Sequence, residues 1–179
     1  MKKQLLIISF LFLFVGFATA QKGNILISLG ADVALPIGDF GEYSTIGIGG
    51  TAKGHYGISD AGDITFTTGY ISFGSKGSND FMSVKTGIIP FMPGYRHTFD
   101  GFYVEPQLGL VSYKTKVKSD VLDGFGMGSA SGSSSHFSFA AGVGKMFGNL
   151  DVSARFQMIS SGGSANFIAA RVGYVLFSK

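Results

Sequence analysis

Four ionisable residues stand out because each lies in a stretch that otherwise alternates between apolar and small residues. They are Lys53, Glu105, Arg155 and Arg171. Charged groups of both signs in a confined, water-poor space either relay protons and ions or neutralise one another as salt bridges. We interpret the four residues as a structural charge cluster, with a proton or ion path as the alternative.

The two arginines need a carboxylate close to them. If their segments form a hairpin centred on Gly163, Arg155 and Arg171 lie directly opposite each other, and like charges in that position are destabilising. We predict Glu105 as the shared counter-ion, with Lys53 beside it and Asp151 nearer the turn that precedes its strand.

A second group of residues has types that suit hydrolysis. His136 and Ser138 lie close to Asp120 and Asp123, and a Ser, a His and an acid on one rim can cleave an acyl chain. The surrounding segment is rich in Gly and Ser, so Ser beside His arises easily by chance. We therefore assign no catalytic residue, cofactor site or metal site, and keep a lipid-modifying enzyme as an alternative.

The segments that carry these residues repeat one pattern, a run of about ten alternating residues followed by turn residues. This pattern is typical of strands that bury one face. The sequence predicts eight strands, near residues 24–34, 46–56, 63–73, 82–95, 102–114, 136–147, 150–160 and 167–177.

The connections between the predicted strands alternate between short and long. Those near 57–62, 96–101 and 148–149 are short, and the longer ones are 35–45, 74–81, 115–135 and 161–166. Short turns at one end and long loops at the other indicate an all-β, antiparallel, up-and-down transmembrane barrel. The Ser-rich stretch 129–135 is expected to be a loop tip.

The charges decide which face of the barrel meets lipid. They lie on the small, polar face of the alternation, and a Lys or Arg turned to lipid costs about 2–4 kcal/mol at the bilayer midplane. We therefore expect Lys53, Lys85, Arg155 and Arg171 inside. The third and fourth strands fit least well, because Ile71 shares a face with Thr65, and a bulge at Pro90 or Pro93 would switch the face.

Aromatic residues concentrate near the predicted strand ends, as in an interfacial girdle. They are Phe40, Tyr43, Tyr56, Phe73, Phe81, Tyr95, Phe99, Phe102, Tyr103, Phe137, Phe147, Phe167 and Phe177.

The first twenty residues have the layout of a secretory signal peptide: Lys2 and Lys3, an apolar run, and Ala18-Thr19-Ala20 as the cleavage site. We expect residues 1–20 to be removed and residues 21–179 to form one barrel domain. Cleavage lowers the formal net charge from +3 to +1, and the basic residues form no stripe, so we expect no nucleic-acid partner. The chain has no Cys, which excludes disulfides and thiol-ligated metals.

Three stretches carry a family resemblance: Gly30 to Phe40, Tyr103 to Gly109, and Arg171 to Phe177. On these residues the chain resembles the outer membrane β-barrel domain proteins of Bacteroidetes-type bacteria, which are similar in size to OmpX/OmpA-type barrels. The resemblance implies a location in the bacterial outer membrane. One departure is that Ser178 and Lys179 follow the aromatic Phe177, where such chains often end.

We therefore expect a monomeric, non-catalytic outer membrane barrel. Its partners would be outer membrane lipids and lipopolysaccharide. Its long loops would serve adhesion or envelope integrity, or bind an extracellular partner. A soluble periplasmic lipocalin-like carrier is a further alternative, since alternation alone fits a soluble barrel too.

Overall fold

A computed structural model describes residues 23–76, 82–119, 129–161 and 163–179 of the chain. The predicted signal peptide and the candidate acids Asp120 and Asp123 lie outside the described residues. Within the described ranges, the chain contains no helix with the length and hydropathy needed to cross a membrane.

Eight strands and one short helix make up the described part of the chain. The strands are β1 (Ile25–Ile37), β2 (Ser44–Gly57), β3 (Gly62–Ser75), β4 (Met82–Thr98), β5 (Tyr103–Ser119), β6 (Ser129–Phe147), β7 (Leu150–Ser161) and β8 (Gly163–Ser178), and the helix α1 (Asp39–Tyr43) joins β1 to β2.

Each strand pairs antiparallel with its neighbours in sequence, and β8 closes the sheet against β1. The beginning of β1 meets the C-terminus at the short-turn end, where the Ile25 amide donates to the Lys179 carbonyl at 2.8 Å and the Lys179 amide donates to the Ile25 carbonyl at 3.0 Å. The predicted eight-stranded, antiparallel, up-and-down barrel is therefore confirmed.

Strands β5 and β6 extend further toward the long-loop end than predicted. The Ser-rich stretch expected to be a loop tip belongs to β6, where Ser129 pairs with Lys118 and Ser135 with Ser112 of β5. The prediction of a loop was wrong because ladder hydrogen bonds join backbone groups and tolerate Ser and Gly side chains. Likewise, Arg96 lies in β4 and not in a turn.

The predicted change of face in β3 and β4 does not occur. The register between these strands is the same on either side of Pro90 and Pro93, since Phe66 pairs with Pro93 and Ile71 with Ile88. Ile71 is buried on the same inward face as Thr65. The interior itself changes from polar to apolar along the barrel. This change, and not a bulge, explains why polar and apolar residues share one face of β3 and β4.

Candidate functional site

Ionic side chains from six of the eight strands converge inside the barrel, in a group that we call the interior ion network. Alternation of side chains along each strand turns these residues inward while their sequence neighbours face out. The network consists of Asp32 of β1, Lys53 of β2, Arg96 of β4, Glu105 of β5, Asp151 and Arg155 of β7, and Arg171 of β8.

Glu105 lies at the centre of one half of the network. Its Oε2 accepts hydrogen bonds from Lys53 Nζ at 3.0 Å and from Arg96 Nη2 at 3.1 Å. Its Oε1 accepts from Thr65 at 3.1 Å and from Gln107 at 2.6 Å. Both carboxylate oxygens are therefore fully engaged, which a buried charge requires.

Asp151 lies at the centre of the other half. Its Oδ2 accepts from Arg171 Nη1 at 3.0 Å and from Arg96 Nη2 at 3.3 Å, and its Oδ1 accepts from the Tyr103 hydroxyl. Arg96 also stacks on the Tyr103 ring, with its guanidinium carbon 3.5 Å from the ring centroid. Arg96 thus joins the two halves by contacting both Glu105 and Asp151.

Two glycines make room for Arg171. A Cβ added at Gly30 or Gly173 would collide with the Arg171 guanidinium in this position, so a larger residue there would displace it. In this space Arg171 donates from Nε to Thr51 at 2.9 Å and from Nη2 to Ser28 at 3.0 Å. The side chain is therefore fixed by partners on three strands.

The two arginines of β7 and β8 do not face each other as predicted. Arg155 pairs with Ala169 and Arg171 with Ser153, so the hairpin is centred on residue 162, one residue earlier than expected. Their counter-ions also differ from the predicted Glu105. Arg155 Nη2 lies 3.4 Å from Asp32 Oδ1, and Arg171 contacts Asp151.

Sequence reasoning missed two members of the network. Arg96 was assigned to a turn because the end of β4 was placed too early. Asp32 carried a usable signal, since Leu29, Val33 and Leu35 form the outward face of β1 and the alternation turns Asp32 inward.

Lys85, which was predicted inside, is exposed on the outward face of β4. It pairs with Gly74 of β3 and Lys116 of β5, close to the long-loop end. The prediction was wrong because the charge penalty that forces a lysine inward falls toward the membrane interface.

Above the ion network, toward the long loops, the interior is filled by apolar side chains that we call the apolar plug. Its buried members are Ala34, Ile71, Phe73, Ile88, Met92, Val111, Ala140, Ile159, Ala165, Phe167 and Ala169. The Phe73 ring lies 5.1 Å from Phe40 of α1 and 5.5 Å from Phe167, measured between centroids. Phe73 and Phe167, and also Tyr103 beside the ion network, are buried inside the barrel. The prediction that these three residues belong to an outer aromatic girdle was wrong.

His136 and Ser138, the two described residues of the set proposed for hydrolysis, are held by other partners. The Ser138 hydroxyl is buried and donates to the Met158 carbonyl at 2.8 Å, and it accepts from Gln157 at 3.0 Å. The His136 Nε2 lies 2.9 Å from Ser134 Oγ, and its ring packs edge-on against Tyr113. Among the described residues, no group of three or more His, Cys, Asp or Glu is placed to hold a metal ion.

The outer surface of the barrel is apolar on every strand. The exposed side chains include Leu29 and Val33 of β1, Ile48 of β2, Phe66 of β3, Phe91 of β4, Leu108 of β5, Phe139 of β6, Val152 of β7, and Ile168 and Val172 of β8, each 40% exposed or more. An apolar belt that surrounds the whole molecule far exceeds the patches normal on soluble monomers.

No protein-family model matches the chain, and no curated protein matches its sequence.

Solved structures match its fold. Ail, the attachment invasion locus protein of Yersinia pestis, in complex with the heparin analogue sucrose octasulfate, aligns with a TM-score of 0.65 at 15% identity, over 87% of this chain and 99% of Ail. The N-terminal β-barrel domain of Pseudomonas aeruginosa OprF aligns with a TM-score of 0.52 at 13% identity, over 87% and 100% of the chains. Neisserial surface protein A aligns with a TM-score of 0.50 at 18% identity, over 86% and 99%. The neighbours are small outer membrane barrels, and at these identities the likeness concerns the fold.

Proposed function

We propose that this chain is an integral outer membrane barrel with a non-catalytic role. One observation carries the proposal: large apolar side chains are exposed on all eight strands, while the ion network is buried. A soluble barrel has the opposite arrangement, with a polar surface and an apolar interior. In water such a surface would drive aggregation, whereas in a bilayer it meets hydrocarbon. The fold neighbours support the location, as does the closed sheet, which leaves no strand edge within the barrel wall.

The energetics favour this orientation. Placing the three buried arginines and Lys53 against lipid would cost about 2–4 kcal/mol for each side chain at the midplane, which together rivals the whole stability of a domain. Inside the barrel, each of these cations lies within 3.4 Å of a carboxylate oxygen. A stable fold therefore requires that these charged side chains face the interior of the barrel and not the lipid.

The ion network serves structure in this proposal, not transport. An eight-stranded barrel has an interior that side chains can fill. Here the apolar plug occupies the half toward the long loops and the ion network the other half. An ion crossing the barrel would have to pass Phe73 and Phe167, which are fully buried, so we propose a salt-bridged core in preference to an ion path.

The position of the outward lysines supports an arrangement with the long loops outside the cell. Lys85 and Lys114 are exposed toward the long-loop end. Outward cations cost little near the membrane interface and attract anionic lipid groups there. The phosphate groups of lipopolysaccharide in the outer leaflet supply such anions, which makes this lipid a partner in the proposal.

We propose that the end of the barrel with the long loops carries the specific function, which is adhesion, envelope integrity or binding of an extracellular partner. We also propose that the protein acts as a monomer. The Ail neighbour, whose structure holds a heparin analogue, is an example of ligand binding on the same fold. We also propose that residues 1–20 are a cleaved signal peptide and that the chain has a Bacteroidetes-type origin.

Membrane fractionation combined with heat-modifiable gel mobility tests the proposal. The protein should sediment with outer membranes, resist extraction by alkaline carbonate, and migrate faster unheated than boiled. A soluble lipocalin-like carrier would instead be recovered in the periplasmic fraction without detergent, and that result would refute the membrane location.

A further inference from the structure

The charges inside the barrel are shared unevenly among their partners. Within the described residues, the ion network has four cations, Lys53, Arg96, Arg155 and Arg171, and three carboxylates, Asp32, Glu105 and Asp151. A fourth carboxylate, the half-buried Asp63, is paired with Arg96 in the β3–β4 ladder. All seven side chains of the network are 10% exposed or less, so bulk water does not screen their charges.

Arg155 is the cation of the network with the weakest contact to a carboxylate. Glu105 accepts five side-chain hydrogen bonds from four residues, and neither of its oxygens is free for another strong donor. Arg155 reaches only Asp32 Oδ1, at 3.4 Å and without hydrogen-bond geometry. Asp32 is also held elsewhere, because its Oδ2 accepts from Thr51 at 2.6 Å.

The Arg155 guanidinium has donors left over. Its Nε and Nη2 are buried and have no hydrogen-bond partner in the part of the chain that the structure describes. A buried charged donor left in this state is among the costliest features of a protein interior. A ligand that accepts hydrogen bonds at this point would remove the cost.

A cavity lies where such a ligand is needed. Arg155, Arg171 and Lys53 line it, together with Tyr103, Glu105, Gln107, Gly142, Ser153 and Ala154. Gly142 is paired with Arg155 in the β6–β7 ladder, and its missing side chain leaves the space open. The cavity accepts at least one particle of the size of a water molecule, and it is too small for a sugar or a nucleotide.

We propose that this cavity binds a small monovalent anion, of which chloride is the available example. Three cationic side chains line the site, and an anion there would accept hydrogen bonds from the unpartnered Arg155 donors. Glu105 also lines the cavity, but its oxygens already accept from four other residues, and Lys53 and Arg96 neutralise its charge. The inference does not depend on whether lipid or water covers the outer surface.

Crystals of the unmodified protein grown in sodium bromide test the proposal directly, because bromide replaces chloride and scatters anomalously. We expect an anomalous peak within hydrogen-bonding distance of the Arg155 guanidinium. A cavity filled only by water would overturn the proposal.

Thermal unfolding of the purified protein supplies the solution test. At constant ionic strength, exchanging gluconate, which is too large for the cavity, for chloride should raise Tm by about 3–6 °C for each tenfold increase above the chloride Kd. Arg155→Met removes the unpartnered guanidinium donors and should abolish the dependence, whereas Lys145→Met, at an exposed position, should keep it. Equal Tm in both salts for the unmodified protein would overturn the proposal. So would a bromide peak without this dependence, which would mean binding at crystal concentration only.

Discussion

The Lys53 ammonium and the Glu105 carboxylate lie 3.0 Å apart, although 52 residues separate them in the sequence. Lys53 belongs to β2 and Glu105 to β5, which are not neighbours in the sheet. The contact therefore crosses the interior and holds opposite walls of the barrel together. Arg171 of β8 makes a shorter tie across β1, since it donates to Thr51 of β2.

Removing the Glu105 charge should destabilise the barrel strongly. Glu105→Gln leaves Lys53 and Arg96 buried without their shared counter-ion, and breaking a buried ion pair costs about 3–5 kcal/mol. The loss is measured as a lower midpoint in urea or a lower temperature for conversion of the fast-migrating gel band. Glu42→Gln, an exposed change on α1, is the control and should leave the midpoint unchanged. A Glu105→Gln protein as stable as the unmodified one would refute the central role of Glu105.

The two halves of the network should be energetically coupled through Arg96. Glu105→Gln and Asp151→Asn each deprive Arg96 of one partner, because its Nη2 lies 3.1 Å from Glu105 and 3.3 Å from Asp151. A double-mutant cycle on the free energy of unfolding should give an interaction of about 0.5–3 kcal/mol. Additive losses would mean that the halves are independent.

The apolar plug should contribute through packing. Phe73→Ala removes a fully buried ring that contacts Phe40 and Phe167, and such truncations cost about 3–5 kcal/mol. Phe137→Ala removes a ring that is 52% exposed on the outer face and leaves no interior cavity, so its loss should be clearly smaller. Equal losses would show that the plug is loosely packed.

Hydrolysis of lipid should not depend on His136 or Ser138. The Ser138 hydroxyl is held by the Met158 carbonyl and by Gln157, so it is not available as a nucleophile. Purified protein should release no more fatty acid from phospholipid or lipopolysaccharide than the His136→Ala and Ser138→Ala proteins. Turnover that disappears in either variant would restore the enzyme hypothesis.

Much of the barrel could be predicted from the sequence, because alternation and charge placement act over a few residues. The inward positions of Lys53 and Glu105 follow from that alternation. The pairing partners could not be predicted, since they depend on register across distant strands. A shift of the β7–β8 hairpin by one residue was enough to separate Arg155 from Arg171 and leave each with a different carboxylate.

The apolar plug was missed for a related reason. A barrel interior that changes from polar to apolar along its axis places Thr65 and Phe73 on the same inward face of one strand. A period of two residues reports which face a side chain takes, but not how far along the barrel its environment changes. That information comes only from the neighbours that the closed sheet brings together.

The central claim is that the apolar face of each strand meets hydrocarbon and the other face is enclosed. Single cysteines test it cleanly because the chain contains none. Phe66 and Phe139 are 46% and 40% exposed, whereas their sequence neighbours Thr67 and Ala140 are 0% exposed. Cysteines at 66 and 139 should react with a bilayer-confined thiol probe, and cysteines at 67 and 140, at the same depths, should stay unlabelled. Labelling at 67 and 140 with protection at 66 and 139 would contradict the account.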